Sequence, residues 1–185
     1  MQKDKFINII AVFEAKKDNK TIRIINSFEE AKRENLVIID REEYHNEKEI
    51  KENCEIRIKN KIIPFSYKYK FNKKAKYIIK FTFKNKMTKI NYLFYDCKSM
   101  VNIDLSNFNT QNLTNMGNIF NGCWSLANID LSNINTQNVT DMSFMFNGCE
   151  SLTNIDLSNF NTQNVTNMNN MFRGCNSLTI KNLIN

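Results

Sequence analysis

The sequence predicts an α/β-type solenoid, with one short strand and one helical or 3-10 turn in each repeat, preceded by a small β-rich domain. Two observations lead to this prediction. From about residue 87 onward one pattern of apolar residues returns every 26 positions, and before that point apolar and polar residues alternate along short segments. A repeat period in the twenties is typical of chains whose units bury their apolar face only against their neighbours. We therefore assign residues 1–86 to a capping domain and residues 87–185 to about three and a half repeats.

The repeat is defined by leucine, phenylalanine and cysteine residues that keep the same spacing. One complete unit reads SLTNIDLSNFNTQNVTNMNNMFRGC and spans residues 151–175. Its first part has apolar residues at Leu152, Ile155 and Leu157, which is the Leu-x-x-Leu-x-Leu pattern of a leucine-rich-repeat strand. The recurring residues are Leu105, Leu131 and Leu157; Phe94, Phe120, Phe146 and Phe172; and Cys97, Cys123, Cys149 and Cys175.

The second part of each unit carries apolar residues at steps of three and four, which favours a short helix or 3-10 turn with one apolar side. A glycine precedes each of the last three repeat cysteines, and glycine is the usual residue for a left-handed exit from such a turn. The apolar residues of the unit above are Val165, Met168, Met171, Phe172 and Cys175, and the glycines of the three units are Gly122, Gly148 and Gly174.

A polar phrase, NTQNVT or NTQNLT, joins the two parts of each unit. We expect its first asparagine to satisfy backbone groups of a turn with its side-chain amide. Each phrase also contains an Asn-x-Thr glycosylation sequon, and whether glycans are attached stays open. The turn asparagines are Asn109, Asn135 and Asn161, and the sequon asparagines are Asn112, Asn138 and Asn164.

With the pattern LSNFNTQNVTNMNNMF-x-GC-x-SL, the repeats resemble the BspA-type leucine-rich repeat, also described as the Mycoplasma-lipoprotein-like repeat of unknown function. The resemblance covers about residues 87–185. It implies a right-handed leucine-rich-repeat solenoid with protein- or matrix-binding roles and no catalytic residues. Repeats of this kind occur in bacterial surface proteins and in protist proteins, so the resemblance implies a cell-surface or secreted location.

Five cysteines raise the possibilities of disulfides, a metal site or structural thiols. Four of them lie one repeat apart, and in successive coils they would form an interior ladder of small apolar side chains. Disulfides along such a ladder would be strained, and zinc needs ligands that converge on one point. Structural thiols are therefore favoured over disulfides, and no metal or other cofactor is expected. Cys54 alternates with Ile56 and Ile58, so we expect it in the core as well.

Residues 1–86 contain segments with period-two alternation, which indicates antiparallel strands with one buried face. Residues 20–25 and 54–59 are two such segments, and two longer ones flank the turn sequence NKKAK. The residues expected on the buried faces of the longer segments are Ile63, Phe65, Tyr67, Tyr69 and Phe71 before the turn, and Tyr77, Ile79, Phe81 and Phe83 after it.

One helix has a clear start signal, since Ser27 and Glu30 form a capping box at the beginning of residues 27–35. The charged residues 40–53 form either a loop or a short exposed helix, and their sequence does not decide between the two.

The charged residues are unevenly distributed along the chain. Residues 1–100 contain 24 Lys/Arg and 14 Asp/Glu, whereas residues 101–185 contain 2 and 5, so an acidic partner would contact the first half. No apolar run approaches the roughly 18 residues that a membrane span needs. The apolar run near the N-terminus is only about eight residues long and contains Asn8, which favours a buried strand over a signal peptide and so favours a cytoplasmic location.

No catalytic pattern is present in the sequence. His45 is the only histidine and lies among charged residues without a triad partner, and the chain lacks a Gly-rich phosphate loop, an HExxH motif and a Cys-x-x-Cys motif. We therefore expect no enzymatic activity.

The strand part of each unit offers a candidate binding surface. Polar residues alternate there with the inward isoleucines and leucines, and they would form the concave sheet, with three aspartates one coil apart. A binding face for a protein, solvated polar filler and a calcium site are all compatible with this pattern. The nine outward residues are Asn102, Asp104, Ser106, Asn128, Asp130, Ser132, Asn154, Asp156 and Ser158.

A second candidate is a basic patch. If the two longer segments of the first domain pair as a hairpin, its outer face carries four lysines. The aromatic residues between them point to the opposite face, so stacking on bases is disfavoured and only general attraction to polyanions remains. The four are Lys68, Lys70, Lys80 and Lys84.

These observations predict a non-enzymatic protein–protein interaction module that binds an unknown protein through its concave face. An electrostatic binder of nucleic acid or anionic surfaces and a purely structural repeat protein are the alternatives. We also expect an exposed apolar edge around Phe172, Leu178 and Leu183 after the last unit, which favours self-association or continuation into a longer array.

Overall fold

Two β-sheets and two short α-helices make up the regular structure of residues 7–38, 41–84, 87–108 and 110–179, which the computed structural model describes. The strands are β1 Ile7–Ala15, β2 Lys20–Arg23, β3 Cys54–Ile58, β4 Lys61–Ile63, β5 Lys68–Phe71, β6 Ala75–Phe83, β7 Met100–Asp104 and β8 Asn128–Asp130. The helices are α1 Phe28–Arg33 and α2 Glu47–Asn53, with a 3-10 turn at Glu42–Tyr44. A six-stranded mixed sheet has the order β4-β3-β6-β1-β7-β8, and β2 pairs with β5 in a separate two-stranded sheet.

The predicted right-handed α/β-type leucine-rich-repeat solenoid is wrong. The fold is mostly β, and within the described part of the chain from residue 87 onward no α-helix or 3-10 helix forms. Of the predicted repeat strands, two are present as β7 and β8, and the third copy adds no further strand to the sheet. Hydrogen-bonded turns occupy the places where the helical turns were expected.

Backbone conformation explains the absence of these helices. Asn118, Phe144 and Asn170 have φ angles of 60°, 55° and 56°, and the glycine four residues after each also has a positive φ. An α-helix requires φ near −63° at every residue, so two left-handed residues four positions apart prevent it. The prediction of a left-handed backbone at the three glycines is confirmed, with φ angles of 70–77°, but the turn they close is not helical.

Alternate backbone N–H groups of these turns bond to the neighbouring repeat, and those between them bond within the turn. We call residues 87–97, 113–123, 139–149 and 165–175 the four turn segments. The N–H of Phe120 donates to the carbonyl of Met145 at 3.0 Å, and the same 25-residue step is repeated from one turn segment to the next. We call these bonds the turn ladder.

Side chains stack in the same register as the turn ladder. The rings of the repeat phenylalanines lie 6.0, 5.6 and 5.6 Å apart, and successive ring planes are inclined by only 1°, 13° and 3°. Parallel β-bridges join Lys89, Asn115, Asp141 and Asn167 in series. The 26-residue period therefore appears in the structure as a stack of turns.

The six-stranded sheet connects both parts of the sequence. β1 is antiparallel to β6 on one side and to β7 on the other, and β7 is parallel to β8. One hydrophobic core continues from Phe13 and Phe81 to Phe120 and Phe146. The division at residue 86, which lies outside the described residues, stays a prediction, as does the capping role of the first part.

Several local predictions for the first part are confirmed. Residues 7–15 form a strand, the start of segment 20–25 forms β2, and Cys54 is buried in β3. Ser27 caps α1, and its hydroxyl accepts a hydrogen bond from the N–H of Glu30. The reciprocal half of the capping box does not form: the N–H of Ser27 donates to Oδ1 of Asn26, and the side chain of Glu30 bonds to Arg33.

Two predictions for the first part need correction or completion. The segment from Ile63 to Phe71 is interrupted after β4, where Pro64 lacks a backbone donor. Its second part, β5, pairs with β2, so the hairpin with β6 does not form.

The charged segment of residues 40–53, for which the sequence left a loop or a short helix open, folds as the 3-10 turn and α2. Ile50 of α2 is buried, and residues 39–40 lie outside the described range.

Two buried asparagines close the turn ladder at its N-terminal end. In later turn segments the carbonyls at the equivalent positions accept N–H groups from the preceding segment. In the first segment the carbonyl of Asn91 accepts from Nδ2 of Asn46 at 2.5 Å, and that of Tyr95 accepts from Nδ2 of Asn26 at 2.9 Å. Between them the carbonyl of Leu93 accepts from the backbone N–H of Asn26 at 2.7 Å. The asparagines thus replace the amide groups of a preceding coil.

The oxygens of both asparagine side chains are also bonded. Oδ1 of Asn26 accepts from the N–H of Ser27, and Oδ1 of Asn46 accepts from the N–H of Phe28 at the start of α1. The two asparagines are 0% and 3% exposed. Their bonds to Ser27, Phe28 and Asn91 are buried, and the bond from Asn26 to the Tyr95 carbonyl is partly buried. α1 is thereby held against the first turn segment.

We predict that Asn26→Ala lowers the free energy of unfolding by about 2–4 kcal/mol, because it leaves the Tyr95 carbonyl and the Ser27 N–H without their partners in a buried site. Urea denaturation followed by circular dichroism measures this change. The matched control is Asn133→Ala at an exposed position, which should cost less than about 0.5 kcal/mol. Equal effects of the two substitutions would contradict the closing role of Asn26.

Candidate interaction surface

Four of the nine predicted binding residues lie side by side on the outward face of the six-stranded sheet. In the parallel register of β7 and β8, Asn102 is opposite Asn128 and Asp104 is opposite Asp130. Their neighbour Ile103 points inward and is only 1% exposed. The predicted outward orientation of these four side chains is therefore confirmed.

The other five predicted residues lie beyond the strands. Ser106 and Ser132 follow the ends of β7 and β8. The third triplet belongs to no strand of the sheet, although its side chains are exposed. The structure thus joins the first two triplets through β7 and β8 but does not add the third to that sheet. The five residues are Ser106, Ser132, Asn154, Asp156 and Ser158.

Each predicted aspartate also closes a local turn. Oδ1 of Asp104 accepts the N–H of Ser106 at 2.8 Å, and the same bond forms from Ser132 to Asp130 and from Ser158 to Asp156, both at 2.9 Å. For the last two aspartates, the bond from the serine N–H and then one from its hydroxyl lower the carboxyl pKa below its usual value. These carboxylates are therefore held in place and remain ionised at neutral pH.

A row of side chains crosses the whole outward face of the sheet, and we call it the outer row. Strand registers place its members directly opposite one another from one edge of the sheet to the other. It has two acidic residues at one end, a central isoleucine, two basic residues and a final isoleucine. In order, the members are Asp130, Asp104, Ile10, Lys80, Arg57 and Ile62.

The outward face also exposes apolar side chains. Ile10, Ile62 and Ile78 are 37%, 58% and 65% exposed, and Val12 lies between Ile78 and Asn102 in the next row. Exposed isoleucines on a strand-backed surface, flanked by fixed charges, are suited to protein recognition. The sequence pattern had not connected Ile10, Ile78 or Arg57 with the aspartates, because their proximity depends on the pairing of β1 with both β6 and β7.

The four lysines of the predicted basic patch do not share one face. Lys68 and Lys70 lie on β5 of the two-stranded sheet, and Nζ of Lys68 is 2.6 Å from Oε1 of Glu34. Lys80 belongs to the outer row, and Lys84 follows β6. Binding of nucleic acid or anionic surfaces stays a prediction, but the hairpin that would have united these lysines is absent.

A different basic surface is present beside the β3–β4 turn. A cleft of about 400 Å³ is lined there by lysines and by Tyr77, and Nζ of Lys59 lies 5.4 Å from the centre of the Tyr77 ring. Of the predicted patch, only Lys70 lines this cleft. Its lysines are Lys59, Lys61, Lys70 and Lys73.

The cysteines are free thiols, and the repeat cysteines form hydrogen bonds between turn segments. Sγ of Cys123 lies 3.1 Å from the carbonyl oxygen of Phe94, and Cys149 and Cys175 make the same contact with the phenylalanine of the preceding segment at 3.3 and 3.0 Å. Burial raises the pKa of these thiols and of Cys54. Both features match the predicted structural thiols.

The polar phrase forms bonds within and between coils. Oδ1 of Asn161 accepts from the N–H of Gln163 at 3.0 Å, and Asn135 makes the equivalent bond, so the predicted turn role is confirmed for these two residues. Asn109 lies outside the described residues. The hydroxyl of Thr136 bonds to both the N–H and the carbonyl of Asn161 in the following coil.

Two of the sequon asparagines face the preceding coil. Nδ2 of Asn138 donates to the carbonyl of Gln111 at 2.8 Å, and Nδ2 of Asn164 donates to that of Gln137 at 2.7 Å. Nδ2 is the atom to which an N-linked glycan would be attached, so these bonds compete with glycosylation. Whether the sequons carry glycans stays open.

Phe172 and Leu178 of the predicted apolar edge are half-buried, and Leu183 lies outside the described residues. Next to Phe172 is an apolar pocket of about 200 Å³. It is lined by Met142, Leu157, Phe160, Thr162, Met168, Met171 and Phe172.

His45 is half-exposed, and its Nδ1 lies 3.8 Å from a carboxylate oxygen of Glu29. Within the described ranges, no group of three or more His, Cys, Asp or Glu side chains could hold a metal ion. Those ranges also contain no helix that is long and apolar enough to cross a membrane.

The protein is mostly β, its 26-residue repeats form stacked turns, and its six-stranded sheet exposes a face with acidic and basic side chains. The chain belongs to the family described as Mycoplasma protein of unknown function, DUF285, whose model matches residues 64–183. The match begins before β5, so it includes part of the predicted N-terminal domain as well as the repeats. No curated protein and no solved structure matches the chain significantly.

We predict that iodoacetamide at pH 8 alkylates Cys175 in the folded protein, whereas Cys97, Cys123 and Cys149 react at least about tenfold more slowly than after unfolding in urea. The three are 0% exposed, and burial raises the pKa of each thiol, so little thiolate is available. Peptide mass spectrometry measures the modification at each site. Rapid labelling of Cys123 in the folded state would contradict its position in the stack.

Proposed function

We propose that this chain is a non-enzymatic protein–protein interaction module that binds its partner through the outward face of the six-stranded sheet. The outer row is the observation that carries this proposal. It places Asp104 and Asp130, a central Ile10, and then Lys80 and Arg57 across neighbouring strands.

Rigidity favours recognition at this face. The strands fix the backbone under every member of the outer row, and the bonds from Ser106 and Ser132 hold the two carboxylates. Less side-chain freedom is therefore lost when a partner binds. The exposed isoleucines supply apolar contact area, and the charges at either end set the orientation of the partner.

The chemistry of the partner follows from this order of charges. A complementary protein surface would carry basic residues opposite Asp104 and Asp130, an acidic residue opposite Lys80 and an apolar side chain over Ile10. Arg57 is already paired with Glu55 at 2.7 Å. The separated charges favour a protein over nucleic acid, because a phosphate backbone would be repelled by the acidic end. Asn154, Asp156 and Ser158 would contribute only if the partner extended past β8.

The matched family model itself carries no known function, so only the resemblance of the repeats bears on function. BspA-like proteins carry the family model that matches this chain, and we include in the proposal that the chain is one of them. The resemblance to that group implies binding of proteins or matrix, which agrees with the exposed sheet surface.

We predict that the double variant Asp104→Asn, Asp130→Asn loses its partner without losing its fold. Asparagine keeps the Oδ1 atom that accepts the serine N–H, so only the charge is removed. Quantitative mass spectrometry of proteins captured from extracts of the native cells should show at least a tenfold loss of a specific partner.

The matched control is Glu150→Gln, which removes one exposed carboxylate outside the outer row. Partner capture should be unchanged in this control. Circular dichroism and urea denaturation of all three proteins establish that they are equally folded. Undiminished capture by the double variant would refute binding through this face.

A further inference from the structure

Three turns of the chain lie together at one end of the six-stranded sheet. β1 ends opposite the first residue of β6, β2 begins opposite the last residue of β5, and β3 ends opposite the middle of β6. Oδ1 of Asp18, in the β1–β2 turn, accepts the N–H of Lys74, in the β5–β6 turn, at 2.6 Å. The topology therefore brings the β1–β2, β3–β4 and β5–β6 turns close to one another.

These three turns are rich in lysine. Residues 16–20, 59–61 and 70–76 contain nine lysines and one acidic residue, Asp18. We call the nine the lysine cluster: Lys16, Lys17, Lys20, Lys59, Lys61, Lys70, Lys73, Lys74 and Lys76. All nine are exposed, and within the described ranges none forms an ion pair with a carboxylate, whereas lysines elsewhere in the chain do. Their charge is therefore available to a ligand.

The cleft of about 400 Å³ beside the β3–β4 turn opens within the lysine cluster. Lys59 and Lys61 reach it from the β3–β4 turn and the start of β4, and Lys70 and Lys73 reach it from the end of β5 and the turn that follows. All residues that line it lie within residues 58–77, away from both ends of the described chain. A cleft lined by charges of one sign concentrates the electrostatic field, so this cleft attracts anions.

Packed aromatic residues hold the cleft in shape. The rings of Phe71 and Tyr77 lie 4.1 Å apart, and the hydroxyl of Tyr77 donates to the carbonyl of Lys73 at 2.8 Å. The same ring lies under the ammonium group of Lys59. Phe71 and Tyr77 are only 2% and 8% exposed, so a nucleic-acid base would find little ring surface on which to stack. Recognition in this cleft therefore depends on charge.

The residue types favour phosphate as the anion. Every basic residue of the three turns is a lysine, and none is an arginine. Arginine offers the planar fork that matches a carboxylate, whereas the lysine ammonium is a point charge that binds phosphate without that geometry. Nine lysines exceed the needs of one phosphate group, and a chain of phosphates gains free energy when its condensed counterions are released. The cleft has room for one strand but not for a duplex.

We propose that the cleft and the lysine cluster around it bind a single linear chain of phosphate groups, either an inorganic polyphosphate or the backbone of a single-stranded nucleic acid. The four lysines of the cleft contact phosphates inside it, and the other five contact the chain where it leaves. No member of the outer row lines the cleft, so this site does not depend on the function proposed for the outward face.

Fluorescence anisotropy tests this proposal with two labelled probes, an inorganic polyphosphate of about 15 phosphates and an oligothymidylate of about 15 nucleotides. The double variant Lys61→Gln, Lys73→Gln removes one charge from each of the two segments that line the cleft. At about 0.15 M salt it should bind the tighter probe about tenfold more weakly than the natural chain. For the oligonucleotide, the slope of log K against log salt should become less steep by about 1.4, since each lost contact contributes about 0.7.

The matched control is the double variant Lys48→Gln, Lys84→Gln, which removes the same charge at exposed positions outside the lysine cluster. Its binding should weaken less than about twofold, and circular dichroism establishes that all three proteins are equally folded. The probe that binds more tightly identifies the source of the phosphate chain.

Three outcomes would overturn the proposal. Equal weakening by the two double variants would mean that binding follows net charge and not the cleft. Binding of neither probe would exclude a phosphate chain as the ligand. Polyglutamate of matched length that binds as tightly as the better probe would assign the cleft to an acidic protein segment.

Discussion

The turn ladder is the interaction on which the rest of this structure depends. In each turn segment alternate N–H groups bond to the next coil, whereas the N–H groups between them bond three residues back within the same turn. The segment therefore cannot form an α-helix, and half of its amides are bonded only when a neighbouring coil is present. This spacing brings Phe120 against Phe94 and Phe146, and it brings the thiol of Cys123 to the carbonyl of Phe94. The phenylalanine stack and the thiol ladder are consequences of the same backbone register.

A directional ladder needs different solutions at its two ends. At the first turn segment, the side-chain amides of Asn26 and Asn46 donate the hydrogen bonds that a preceding coil would otherwise donate. The bond from the start of α1 to Asn46 fixes α1 and the preceding loop against the repeats. β1 completes the junction by pairing with β7 along the neighbouring sheet. That pairing also creates the outward face, because it brings Ile10 beside Asp104. The junction that begins the stack therefore also builds the candidate interaction surface.

The sequence was informative about which residues are equivalent and much less so about their backbone conformation. A 26-residue period identifies the phenylalanines and cysteines that stack, whatever the local structure. Apolar residues at steps of three and four fit a helix and a stacked turn equally well, so the spacing of Met168, Met171 and Phe172 could not exclude a helix. The decisive feature is the positive φ at Asn118, Phe144 and Asn170, and a phenylalanine gives no sign of that conformation. The outward aspartates followed from strand alternation, but Ile10 and Lys80 required a register between distant strands.

Long-range HNCO spectroscopy, which detects couplings through hydrogen bonds, tests the turn ladder most directly. We predict a coupling from the amide nitrogen of Phe120 to the carbonyl carbon of Met145, and one from Phe146 to Met171, in accordance with N–O distances of 3.0 and 2.9 Å. We predict no such coupling from Phe172 to any residue of 87–179. A coupling from Phe120 to Met116, four residues earlier, would mean that the turn segment is an α-helix and would contradict the account.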